Sequence, residues 1–199
     1  MIVGLTFGGM DIKVYGSDMN NARIGDIGEQ MVIVKLMELG WDAFNVNQVF
    51  KNYKSVDIIC MNPCNGKTQQ IQVKTGRGSN PFPTGFYSDN KGNIANFDIK
   101  GPWIFVLATG EGIDMNFRFF ILSKSEIETL IQTSNNWYMN GYERENEISN
   151  HTPVGIKLKW LQGEGENNTL NENFKKRHTA YVNPLGHDSE NCWNKIWED

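Results

Sequence analysis

Cysteine, proline and long apolar runs are scarce in this 199-residue sequence, and each shortage removes a class of protein. Three cysteines, Cys60, Cys64 and Cys192, are an odd number in a chain too large to need disulfide staples, so a reduced, cytoplasmic setting is expected. Cys60 and Cys64 are four apart, but no nearby second pair completes a tetrahedral set, and structural zinc is not the expected reading. No stretch approaches the roughly 18 apolar residues of a membrane span. Met1 to Met10 lacks a basic leader and is broken by Gly4, Gly8 and Gly9, so neither secretion nor a membrane partner is expected. Positive charge is also short. Nineteen Lys and Arg against 23 Asp and Glu leave a formal charge of −4, which argues against non-specific coating of nucleic acid and leaves room only for a local basic face. His151, His178 and His187 are scattered, no HExxH or serine-centred elbow occurs, and TGRGSN lacks the GxxxxGK spacing of a phosphate loop.

What remains is a folding chain. Apolar residues make up 39%, charged residues 21%, with 20 Gly and 24 Asn, a composition that is neither disordered, collagenous nor coiled. The length suits one domain with a real core. Three parts are expected: an N-terminal extension or short strand over 1–22, a core over 23–134, and a C-terminal extension over 135–199 packed on it.

The first strong element is a helix from about Gly25 to Leu39, apolar on most faces and therefore largely buried, stopping at Gly40. Asp26 and Glu29 fall in its first turns, where their charge suits the helix dipole. Trp41 to Phe50 reads as a strand. VDIICM and TQQIQVKT, separated by NPCNG, read as a hairpin with Ile71 and Val73 on one face and Gln70, Gln72 and Lys74 on the other. Residues 76–101 read as a long loop with a short element around Ile94 to Ile99. WIFVLA is a central strand, NFRFFIL another, and SKSEIETLI a helix opened by a capping box. Gly155 to Leu161 alternates like a strand, and NCWNKIWED reads as a short amphipathic helix whose Trp193 and Trp197 pack inward.

The chemistry concentrates in four residues. If the hairpin pairs around NPCNG, Asp57 lies beside the face carrying Gln72 and Lys74. Asp57 would offer a hard oxygen to Mg²⁺ or Mn²⁺, the Gln72 amide oxygen would supply another or hold a ligating water, and Glu29 would complete the metal site directly or through water. Lys74 would then stand near a metal-bound water and a phosphate, a geometry suited to phosphodiester hydrolysis. Each has a bland reading: an edge lysine, a strand-ending aspartate, a dipole glutamate, and a glutamine that alone says almost nothing. Their order changes the odds.

GDIGEQ, SVDII and IQVKTG together resemble the PD-(D/E)XK nuclease superfamily in its Q-x-K form, closest to small intracellular nuclease-like proteins and certain homing-endonuclease relatives. The resemblance covers roughly residues 25–131. It implies a three-layer α/β/α restriction-endonuclease-like core around a mixed four- or five-stranded sheet, and a metal-dependent deoxyribonuclease, expected to be an endonuclease. It assigns the helix glutamate to Glu29, the metal-binding aspartate to Asp57, the usually acidic position to Gln72 and the lysine to Lys74. Two residues depart from the pattern. Val56 replaces the proline before the aspartate, and Gln72 removes one negative charge from the metal shell.

DNA would be the partner, as a homodimer if both strands are cut. Lys74 and Arg77 would touch phosphate, and the basic run Lys175, Lys176 and Arg177 is either a solvated connector or a clamp on the DNA backbone. Two other readings stand beside the nuclease: a catalytically inactive nucleic-acid-binding module of the same fold, and a protein-interaction component of a defence or mobile-element system.

Overall fold

The computed structural model describes residues 3–7, 10–14, 21–48, 55–141, 149–167, 169–171, 176–178 and 180–198, with the backbone alone at 3–7, 10–14, 169–171 and 176–178. A mixed five-stranded sheet organises the chain. Its strands, in spatial order, are β3 (Asp42–Asn45), β4 (Ile58–Met61), β5 (Thr68–Arg77), β7 (Trp103–Thr109) and β8 (Asn116–Leu122). All neighbours are antiparallel except β5 and β7. The VDIICM and TQQIQVKT segments pair as a hairpin, with Ile58 opposite Ile71.

Side chains alternate along each strand, so the sheet has two apolar faces. On one, Ile71, Val73, Ile104, Val106 and Ile121 pack with Val32 and Leu36 of helix α1 (Asn21–Glu38). On the other, Trp103, Phe105, Leu107, Phe120 and Leu122 pack with Ile127, Leu130 and Ile131 of helix α2 (Lys124–Asn140). Burial on both sides is why WIFVLA is continuously apolar. Ser123 caps α2 through a full capping box with Glu126, worth about 1 kcal/mol.

Helix α1 departs from expectation twice. It begins at Asn21, four residues before Gly25, so Glu29 sits in its third turn, beyond the reach of a dipole argument. It is also not largely buried: Ile24, Gly28, Val32 and Leu36 form one inward stripe at four-residue spacing, while Val34 and Met37 are exposed. Among the described residues the helix packs chiefly on the sheet, and one stripe suffices for that. Gly28 is where it comes nearest, since a Cβ there would fall inside the Thr75 side chain of β5.

Other elements correct the sequence reading. The expected loop over 76–101 contains strand β6 (Phe82–Ser88), which pairs antiparallel with β9 (Thr152–Ile156) outside the main sheet. Phe82, Thr84 and Ser88 are buried at even spacing, but Pro83 and Gly85 between them disguise the strand. Residues 158–161, expected to continue a strand, form the short helix α3 (Leu158–Leu161), because Trp160 and Leu161 are both buried and adjacent residues of a strand face opposite ways. The strand expected over Trp41 to Phe50 is only β3, followed by a 3₁₀ turn at Val46–Gln48, and 49–50 lie outside the described residues. The helix opened by the capping box, expected to end at about Gln132, runs eight residues farther, to Asn140. The N-terminal region forms a hairpin of β1 (Val3–Phe7) and β2 (Met10–Val14), and a second small pair joins β10 (Thr169–Asn171) to β11 (Lys176–His178). The final turn, Trp193–Trp197, is a 3₁₀ helix that buries Ile196 on the α1 side, with Trp197 edge-on to Trp41 at 5.2 Å.

Candidate functional site

Strand β5 outruns its neighbour. β4 pairs only with Thr68 to Ile71, and past that point Asp57 takes over the edge. The Asp57 N–H donates to the Ile71 carbonyl at 2.9 Å, and the Asp57 carboxylate accepts the Val73 N–H at 2.8 Å. A side-chain oxygen thus stands where a ladder carbonyl would be. Among the described residues no strand pairs with β5 past Ile71 on this side, and the carboxylate lies at that edge.

Four more side chains converge there. Gln72, 8% exposed, donates its Nε2 to Asp57 Oδ2. The sequence reading made Gln72 an oxygen donor; its amide nitrogen instead turns to Asp57. Asn47 Nδ2 lies 3.4 Å from Asp57 Oδ1. From α1, Glu29 Oε2 accepts a hydrogen bond from Asn45 Nδ2 at 2.5 Å. Lys74, on the same face of β5 as Gln72, holds its ammonium 5.4 Å from the Trp103 ring centre, within cation–π range.

Burial dominates the electrostatics. It pushes the Glu29 carboxyl up to about 7, reinforced by the charge of Asp57 and opposed by the Asn45 hydrogen bond and by Lys74. It also raises Asp57, against the Val73 N–H and the charge of Lys74. It lowers Lys74, against the pull of Asp57 and Glu29. Two carboxylates and one ammonium are therefore brought together under partial desolvation, each with its charged form disfavoured by its surroundings.

A divalent cation would reverse that balance for the carboxylates. Two carboxylates with an amide nearby suit Mg²⁺ or Mn²⁺, which are commonly held by one or two carboxylates together with waters and substrate phosphate. Among the described residues no group of three His, Cys, Asp or Glu side chains comes together to hold a metal. The cysteines are free, with Cys60 buried and Cys64 exposed. His151 stacks on Tyr87 at 3.9 Å, and His187 Nδ1 lies 2.7 Å from the Leu185 carbonyl.

Of the other expected contacts, Arg77 lies on the opposite face of β5 from Lys74. It is three residues from Lys74 and so leaves β5 toward α1, with a buried Nε that lacks a hydrogen-bond partner. Lys176 and Arg177 belong to β11, and Lys175 lies outside the described residues. Sequence reading missed Asn45 and Asn47. The one available signal was Asn-Val-Asn at the end of β3, a pattern that asparagine's turn preference explains equally well. No described helix is long and apolar enough to cross a membrane. No protein-family model matches the chain, and comparisons with curated proteins and with solved structures find no match.

Proposed function

We propose that this protein is a metal-dependent nuclease that hydrolyses DNA phosphodiester bonds, acting as an endonuclease in the cytoplasm. The observation that carries the reading is the meeting of Glu29, Asp57 and Lys74 at the edge of β5. The element order supports it: a helix, the β4–β5 hairpin, a crossover into parallel β7, antiparallel β8, and a second helix on the far face. We read this as the three-layer restriction-endonuclease-like arrangement that the GDIGEQ, SVDII and IQVKTG motifs imply.

In this reading Asp57 and Glu29 hold Mg²⁺ or Mn²⁺. Gln72 and the Val73 N–H fix the Asp57 carboxylate. When bound, the cation supplies charge for the phosphate and lowers the pKa of the attacking water. Lys74 donates to a phosphate oxygen or orients that water, and Trp103 limits where its ammonium can point. Arg77 and the 175–177 run add backbone contacts, so DNA binding weakens as salt rises. Cutting both strands would call for a homodimer.

A nuclease panel on linear, circular, single-stranded and four-way DNA tests the proposal. Cutting should require Mg²⁺ or Mn²⁺, stop with chelator, and be lost in Asp57→Ala and Lys74→Ala. No cleavage of any substrate under any metal would refute it. One observation favours a second reading, a nucleic-acid-binding module without catalysis: Gln72 stands where an acidic ligand is customary and spends its amide nitrogen on Asp57. Metal-independent DNA binding without cutting would select that module.

A further inference from the structure

The Glu29 and Asp57 carboxylates come from different elements, a helix and the approach to a strand, and one turn touches both. Asn45 ends β3, is 7% exposed, and accepts the Asn47 N–H on its Oδ1 at 2.8 Å. That bond settles which end of the amide faces Glu29. With the oxygen engaged, the nitrogen is presented, and it lies 2.5 Å from Glu29 Oε2. The same turn grips Asp57 twice, through the Val46 N–H on the Asp57 carbonyl at 2.8 Å and through Asn47 Nδ2 at 3.4 Å from Oδ1. An asparagine needed only to end a strand would be satisfied by its own turn. Here the second half of the amide is buried against a carboxylate.

We infer that Asn45 is a positioning residue which, with Asn47, holds the Glu29 and Asp57 carboxylates at one fixed spacing and so prepares them for a divalent cation. The inference rests on the metal-dependent reading above. Neither asparagine need touch the cation, since each acts through the carboxylate it holds, as outer partners of metal ligands do.

The test is Mn²⁺ affinity of the full chain without DNA, measured from the paramagnetic resonance of free Mn²⁺, alongside each variant's melting temperature. Asn45→Ser is the informative change. A serine hydroxyl can still accept the Asn47 N–H but is too short to reach Glu29. The Asn45→Ser variant should bind Mn²⁺ about tenfold more weakly, and Glu29→Gln at least as weakly. The double variant should be no weaker than Glu29→Gln alone, because Asn45 acts through Glu29. A merely structural role would lower the melting temperature, leave Mn²⁺ affinity unchanged and make no distinction between backgrounds. Unchanged affinity in Asn45→Ser, or losses that multiply in the double variant, would overturn the inference. If Asn45→Ser does not fold, Asn47→Ala carries the same test through Asp57, with a loss of about tenfold expected and unchanged affinity overturning it. No Mn²⁺ binding by the unaltered protein would instead overturn the metal-dependent reading, and this inference with it.

Discussion

Two clusters in this molecule bring carboxylates and lysines together under partial burial, and they resolve the problem in opposite ways. Around α3, Glu166 has a side chain only 8% exposed, but Lys157 and Lys159 reach it at 2.6 and 3.3 Å. Burial pushes its pKa up, and the Lys157 hydrogen bond with the two lysine charges overcomes this, leaving it below the usual range. Lys157 also lies 5.0 and 5.1 Å from the Trp137 and Trp160 ring centres. At the edge of β5, Glu29 and Asp57 feel Lys74 only through space, and burial prevails for all three groups. The first cluster pairs its one carboxylate directly with two ammoniums and fastens the C-terminal third. The second brings its two carboxylates and one ammonium together without a direct ion pair, the arrangement on which the metal-dependent proposal rests.

That contrast can be broken in four ways. The largest effect belongs to Asp57→Ala, which should reduce metal-dependent DNA cutting by about a thousandfold or more, some 4 kcal/mol of barrier. Glu166→Ala should leave the cutting rate of the folded protein within about threefold, on the same scale. Comparable losses in both, measured as initial rates on plasmid, would erase the distinction.

Stability should show the reverse order. Glu166→Ala leaves two lysines facing a half-buried gap and should cost about 1–2 kcal/mol after allowance for their solvent exposure, read as a melting temperature lower by about 2–6 °C. A third effect sharpens the electrostatic side. Between pH 4.5 and about 7 the folded chain retains a proton on Glu29 that the unfolded chain has released, so its contribution makes stability fall as pH rises through that window. Glu29→Gln removes this dependence. In chelator, its melting temperature relative to the unaltered protein should therefore be higher at pH 8 than at pH 5, by the equivalent of about 1 kcal/mol after solvent screening. An equal difference at both pH values would contradict the burial assigned to Glu29. The smallest effect is expected at the exposed Lys35–Glu38 pair, 2.7 Å apart on the outer side of α1. Lys35→Ala should change stability by less than about 0.5 kcal/mol, and a larger loss would show that contact distance alone, rather than burial, sets the worth of these pairs.

Much of the frame was legible. Period-two alternation in TQQIQVKT and continuous apolarity in WIFVLA gave β5 and β7, and Ser123 with Glu126 announced the start of α2. Strand β6 was not, because Pro83 and Gly85 occupy its exposed positions and remove the usual composition. Within the site, the spacing of Gln72 and Lys74 could be read, since residues two apart share a face. The placement of Asp57 in the plane of the sheet could not. It depends on β4 stopping at Ile58 while β5 continues, a difference in length between two strands that neither segment reveals alone. Asn45 and Asn47 were hidden for a related reason: their partners are 16 and 10 residues distant in the chain.

Gly28 gives the neighbouring glutamate its reach. Where the α1 main chain rests directly on the Thr75 side chain of β5, that closeness sets how deep the next residue can deliver its acid group. A methyl at that point would lift the helix off β5, and the carboxylate would rise with it, away from Asp57, although no polar atom had been altered. One of the most exacting requirements of this site is thus met by a residue with no side chain to contribute.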